Sequence, residues 1–143
     1  ELVSSPAFSI SFDSRWKEVM LLLYPKTSAE KTYSFLPVLR PVGRLGMGVA
    51  CNLTGNPLYL SVDGRRQRLL SGKPTPFSFT LSPQKDHVRF GVDAAFGSGK
   101  KKPILSVKKF FDRDDNPILL LRREAFRDSK GQIKNGKLMM TTL

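Results

Sequence analysis

The sequence predicts a mainly β, α+β fold: one domain over residues 1–143, with two antiparallel sheets of about four strands each and one short helix. Three observations predict it. Apolar residues recur at every second position through most of the chain, the period of a half-buried strand. Helical periodicity is nearly absent. A Phe-rich alternating stretch opens each half, "AFSISFD" at residues 7–13 and "PFSFTLS" at 76–82, so the chain reads as two similar halves, 1–72 and 73–143.

Each element follows from its local pattern. In the first stretch Phe8, Ile10 and Phe12 alternate with Ser9 and Ser11. "KEVMLLLYP" (17–25) is a continuous apolar run closed by Pro25, which suits a strand covered on both faces or an amphipathic turn. "KTYSFLPVLRP" (31–41) is extended, with Pro37 marking a bulge or a sheet edge. "RLGMGVACNL" (44–53) places Leu45, Met47, Val49 and Cys51 on a core face. Its other face carries Gly46, Gly48 and Ala50 between Arg44 and Asn52, so a strand or a ligand can approach the backbone closely there. Leu58–Val62 makes a short strand. Asp63 is placed to cap the one helix, which runs to Leu70, stops at Gly72 and has its weak point at Gly64.

In the second half, "DHVRFGVD" (86–93) alternates Val88, Phe90 and Val92 with His87, Arg89 and Gly91. "PILSVKKFF" (103–111) sets Leu105, Val107, Lys109 and Phe111 on one face and Ile104, Ser106, Lys108 and Phe110 on the other. "DRDDN" (112–116) reads as a turn and "PILLLRREA" (117–125) as the returning strand, which makes Lys101–Phe126 a β-hairpin. Asn135-Gly136, a type I′ turn signal, marks a last strand pair.

Charge is the strongest functional signal. The 143 residues hold 24 Lys and Arg against 12 Asp and Glu, a net charge of +12 and a pI near 10.2. Residues 1–72 contribute 9 basic and 5 acidic side chains, and residues 73–143 contribute 15 and 7. Such a domain repels itself, and the usual compensation is a polyanionic partner, nucleic acid before an anionic membrane surface. Neighbours on a strand point to opposite faces, so at least one of Lys108 and Lys109, and one of Arg122 and Arg123, stands on an exposed sheet face. Arg44 and Arg89 occupy comparable places. Lysines that guard sheet edges are the plain explanation. Edge protection does not call for arginines on several strands; a basic sheet tracking a phosphate backbone does. Phe110, Phe111, Tyr33 and Trp16 are the few candidates for base stacking, so the balance favours backbone contact over base reading.

Other chemistries are poorly served. No catalytic constellation appears, so no enzyme activity and no cofactor are expected. His87, the only histidine, reads as a polar-face residue, and with the single Cys51 it cannot make a zinc site. Cys51 reads as a small core residue, and with no disulfide possible the chain suits a reducing compartment. The apolar runs are too short to span a bilayer and no basic amphipathic helix is visible, so no membrane partner is expected. "GSGKKK" (97–102) fails the phosphate-loop pattern at Ala94 and Lys101 and leaves a flexible basic loop. "DRDDN" lacks the closing acid of an EF-hand. Asn52-Leu53-Thr54 is a formal glycosylation sequon.

Four stretches carry a family resemblance: "FSISFDSRWKEVMLLLYP", "FLPVLRPVGRLGMGVA", "FSFTLSPQKDHVRFGV" and "KKPILSVKKFFDRDDNPILLLRRE". In this order they resemble the Whirly-type single-stranded nucleic acid binding proteins, and among them the mitochondrial guide-RNA-binding proteins of kinetoplastids. The Lys-Gly-Lys-Ala-Ala signature of the plant members is replaced here by Arg15-Trp16-Lys17-Glu18-Val19, which argues against a plant-type DNA-binding member.

The resemblance implies a Whirly-like fold, two sheets packed crosswise with helices that support a tetramer. It implies a heterotetramer with a related, paralogous subunit in the mitochondrial matrix. It further implies a matchmaker for uridine insertion and deletion editing, one that holds guide RNA by its phosphates and leaves the bases free to anneal with mRNA. The phosphate-contacting residues it implies are Lys17, Arg40, Arg44, Arg89, Lys100, Lys101, Lys102, Lys108, Lys109 and Arg122. A single-stranded DNA-binding transcription or genome-maintenance factor and a basic ribosome-associated protein are the rival readings.

Overall fold

The computed structural model describes residues 11, 17–25, 33–97 and 99–143. The described residues form ten strands: β1 Val19–Pro25, β2 Tyr33–Leu39, β3 Met47–Asn52, β4 Leu58–Val62, β5 Arg65–Leu69, β6 Thr75–Ser78, β7 His87–Ala95, β8 Lys101–Phe110, β9 Ile118–Arg127 and β10 Ile133–Thr142. They contain no helix. The α+β expectation with supporting helices is therefore corrected to all-β. Most of the stretch 7–13 lies outside the described residues.

The strands build three layers. β1 and β2 pair as a two-stranded sheet, the hairpin layer. A middle sheet runs β10-β9-β3-β6 and an outer sheet runs β5-β4-β7-β8. Each four-stranded sheet draws strands from both sides of residue 72. All pairings between these ten strands are antiparallel except β3 with β9, which is parallel, so the middle sheet is mixed.

Side-chain alternation on the two central strands sorts the layers. On β3 and β9, Ala50, Leu119 and Leu121 enter the larger core, where they meet Leu58, Leu60, Val62, Val88, Phe90 and Val92 of the outer sheet. Val49, Cys51 and Ile118 point the other way, onto Leu36 and Val38 of the hairpin layer. Both faces of β3 and β9 are thus covered, which is why "ILLL" is apolar at every position. Burial pushes the Cys51 thiol up to about 12, so at neutral pH it stays a protonated core group.

The glycine-lined face of β3 also turns out to be core. A Cβ on Gly48 would meet the Phe77 ring and sit 2.6 Å from the Pro117 carbonyl oxygen. The close approach is by neighbouring strands, not by a ligand. Gly48→Ala should lower the unfolding free energy by about 2 kcal/mol through overpacking. Urea denaturation with an unchanged m-value checks this.

Three turn assignments change. The segment expected to be a helix, 63–70, is the second half of a two-residue hairpin. Asp63 (φ 47°) and Gly64 (φ 88°) make the turn, and Val62 faces Arg65. Asp-Gly favours the left-handed pair of angles that a tight hairpin needs, and this local preference overrode the helix-cap reading. The Asn135-Gly136 pair is not a turn: it lies within β10 beside a register shift, and the β9–β10 turn is closed at Asp128–Gln132. Asp128 closes that turn because its Oδ1 accepts from the Lys130 and Gln132 amides at 2.9 Å each.

The largest change concerns Lys101–Phe126, which is not a hairpin. β8 pairs with β7 in the outer sheet, and β9 pairs with β10 and β3 in the middle sheet. Leu105 and Val107 of β8 pack into the same larger core as Leu119 and Leu121 of β9. "DRDDN" crosses from one sheet to the other, and Asn116 fixes the crossing by donating to the Arg44 and Met47 carbonyls at 2.7 and 2.9 Å.

The sequon asparagine is structural. Asn52 is fully buried. Its Nδ2 donates to the Asn56 carbonyl (2.7 Å) and the Leu69 carbonyl (3.1 Å). Its Oδ1 accepts from the Thr54 amide (3.0 Å) and hydroxyl (2.8 Å). A fully bonded, buried amide is not presented for glycosylation in the folded chain.

Candidate nucleic-acid interface

The outward face of the outer sheet is built by period-two alternation on four strands. β7 sends Val88, Phe90 and Val92 into the core and leaves His87, Arg89, Gly91 and Asp93 on the far face. On β8 the partners of His87, Arg89 and Gly91 are Phe110, Lys108 and Ser106. On β4 the outward residues are Tyr59 and Ser61, and opposite them on β5 stand Arg68 and Arg66. No described element covers this face.

Rows of paired residues cross it from strand to strand. The middle row, Ser61, Gly91 and Ser106, has small side chains, and an open trough of about 570 Å³ lies over it. Arg89, His87, Lys85 and Asp63 line the trough on one side. Arg66 stands at its β5 end, across from Ser61. On the other side lies the row of Arg68, Tyr59 and Asp93, with the Lys101 ammonium 3.9 Å from the Tyr59 ring centroid.

Lys101 reaches the face because of a bulge. The β7–β8 register shifts between Val92 and Asp93, and Ile104 packs against the core. Beyond that point the parity of β8 inverts. Lys101 then faces outward, whereas Lys102, opposite buried Ala94, leans toward the Phe96 ring at 5.5 Å.

The electrostatics are one-sided. Arg66 is ion-paired with Asp93 and Lys85 with Asp63 at 2.6 Å. Arg68, Arg89, Lys101 and Lys108 make no ion pair among the described residues. Burial pushes the Asp63 carboxyl up, but the Lys85 hydrogen bond, the Arg89 amide and the charges of Lys85 and His87 outweigh it. The net shift is below the usual carboxylate range. Asp63 is therefore ionised at neutral pH and pins the hairpin turn to the start of β7 through the Arg89 amide at 3.1 Å.

Of the residues expected to touch phosphate, the structure brings together Arg89, Lys101 and Lys108 on this face. It also resolves the adjacent pairs. Lys108 faces out. Lys109, opposite buried Val88, turns inward and its ammonium donates to the Met140 carbonyl at 3.4 Å. Arg123 shares the inward register of Leu138 and donates to the Gly136 carbonyl at 3.2 Å. Arg122 is exposed, but on the side of the middle sheet that faces away from the outer sheet. Lys17 and Arg40 flank the hairpin layer, where Arg40 is ion-paired with Glu18 at 3.1 Å. Arg44 lies in the connection to β3, and its carbonyl is held by Asn116. Lys100 sits in the β7–β8 turn, its carbonyl accepting from Phe96 at 3.2 Å, while Lys101 and Lys102 belong to β8 itself. Of the flexible basic loop expected over 97–102, Lys101 and Lys102 are strand, while the described residues Gly97, Gly99 and Lys100 form the turn that precedes them.

Arg66 and Arg68 were missed because the segment 63–70 read as a helix. The Asp-Gly turn followed by alternating Arg66, Arg68 and apolar Leu69 is the signal that finds them. Among the described residues, no three His, Cys, Asp or Glu side chains gather as a metal site requires, and no helix is long and apolar enough to cross a membrane. Comparison with protein-family models, curated proteins and solved structures finds no match for this chain.

Proposed function

We propose that the outer face of the β5-β4-β7-β8 sheet binds single-stranded RNA through its phosphates, as a non-catalytic holder that leaves most bases free to pair. The observation that carries this reading is the Arg89–Lys108 pair. The two residues face each other directly across neighbouring strands. Like charges in that position repel and destabilise a sheet by a few tenths of a kcal/mol to about 1 kcal/mol. Neither has a carboxylate partner among the described residues, and Arg89 lines a trough floored by small side chains. A phosphate between them relieves the repulsion. Edge protection accounts for cations on the outer strands β5 and β8, but not for Arg89, which stands on the interior strand β7.

The specific form of the proposal is annealing of guide RNA to messenger RNA in mitochondrial uridine insertion and deletion editing, alongside a related subunit. It draws on the order of the strand-forming stretches and on the physics of phosphate neutralisation, which lowers strand–strand repulsion. The all-β fold removes the helix-built tetramer from that argument, so the basic face supports the reading on its own. Fluorescence anisotropy with a labelled uridine-rich RNA across a salt series tests it. Binding that falls linearly on a log–log plot supports the reading, and no binding at low salt overturns it. A matched DNA strand bound more tightly would instead favour a single-stranded DNA factor.

Asp93→Asn gives a gain-of-function check. It frees Arg66 to meet a phosphate, so affinity should rise and the salt slope should steepen by about 0.7.

A further inference from the structure

We propose that Phe110, with His87 beside it, is a stacking platform for one nucleobase, so that the face takes unpaired strands and anchors one base as well as the backbone. The inference rests on the phosphate-binding reading of the same face and extends it from charge to base.

Phe110 and Phe111 are adjacent but have opposite fates. Phe111 packs in the core, its ring 5.4 Å from that of Phe79 and 6.1 Å from that of Phe90. Phe110 is 69% exposed on the outer face. Its one described ring neighbour is His87, directly opposite on β7, with centroids 5.8 Å apart and planes tilted by 55°. Removing Phe110 costs the core nothing, and a bare phenyl ring in water is unfavourable. The exposed phenyl ring on the sheet surface offers a π-face that any base can cover, and the tilted His87 ring flanks it.

Position gives the platform its ligand. Phe110 and His87 form the row next to Lys108 and Arg89, two residues along each strand, or roughly 7 Å away. That is comparable with the reach from a phosphate to its own base. A phosphate held by Arg89 and Lys108 thus places an unpaired base over the rings, whereas a duplex keeps its bases stacked inside and cannot offer one. The charge and the ring serve different parts of one nucleotide.

The test separates ring from charge. Binding of a uridine 12-mer RNA, its abasic counterpart and inorganic polyphosphate is measured for the wild type, Phe110→Ala and Phe110→Tyr. Removing one stacked base should weaken the uridine oligomer about tenfold in Phe110→Ala. Polyphosphate and abasic binding should stay unchanged, and Phe110→Tyr should restore the wild-type value. Equal loss for all three ligands, or no loss for any, overturns the platform. If the wild type binds none of the three at low salt, the phosphate-binding reading itself fails, an outcome distinct from failure of the platform alone.

Discussion

Replacing Arg89 and Lys108 together by alanine should weaken single-stranded RNA binding on the order of a hundredfold at low salt, taking each charge-assisted phosphate contact at about 1.5 kcal/mol. The log–log salt slope should fall by about 1.4, two contacts at about 0.7 each. Replacing Lys109 and Arg122 together should leave both nearly unchanged. The contrast is informative because all four residues look alike in sequence. Lys108 and Lys109 are neighbours, yet one faces solvent beside Arg89 while the other reaches the Met140 carbonyl. Arg122 lies on a different sheet, on the side away from the outer sheet. Anisotropy titrations at several salt concentrations read both effects. Both variants keep the larger core intact, since Arg89, Lys108 and Arg122 are exposed and Lys109 lies at its margin.

Asn52→Ala should be the most destabilising single substitution at a polar site, by about 3 kcal/mol. The Asn52 amide ties three backbone stretches together: its own strand β3, the Thr54–Asn56 turn and the Leu69 carbonyl at the end of β5. The bond to the Leu69 carbonyl is buried, so truncation removes a buried hydrogen bond and leaves a small cavity beside it. A functional consequence follows. β5 is an outer strand that carries Arg66 and Arg68. The Gln67 side chain on the Pro76 carbonyl is one of its hydrogen-bonded links to the middle sheet, and Asn52 is another. Loosening it should raise hydrogen exchange at the β4–β5 amides before the rest of the sheet responds. A shift of the urea midpoint with an unchanged m-value measures the stability term.

Strand character and inside–outside alternation were legible from the sequence; partners were not. The faces expected for "PILSVKKFF" are those observed for Leu105, Val107, Lys109 and Phe111, because a period of two leaves a strand no other way to bury its apolar residues. The same pattern says nothing about which strand lies alongside. β8 and β9 are joined by a short polar turn and look like a hairpin, but both aim apolar residues into one core. They satisfy that requirement from separate sheets that share the larger core. The parallel pairing of β3 with β9 was equally invisible, because a crossing over about 65 residues leaves no local trace. "PILLL" did carry a usable clue: a run without alternation needs cover on both faces, and only a middle sheet supplies it.

The candidate site shows the same division. Charge imbalance pointed to a polyanion-binding sheet, and Arg89, Lys101 and Lys108 do share one face. Composition did not reveal that Arg122 and Lys109 are diverted elsewhere. Nor did it show that the Ile104 bulge selects Lys101 over Lys102, or that Arg66 and Arg68 complete the face. The helix reading of 63–70 hid the last two. Asp63 has the chemistry of a helix cap, but the Asp-Gly pair is the stronger local signal and makes the turn.

The most direct test of the central claim is a map of where RNA touches the protein. Backbone amide chemical shifts recorded during titration with a uridine-rich oligonucleotide supply it. The expected result is a contiguous set of perturbations at Ser61, Arg66, Arg89, Gly91, Ser106 and Lys108, fading as salt is raised. Perturbations confined to β9 and β10 around Arg122, or to the hairpin layer, would contradict it and move the binding face to another side of the molecule.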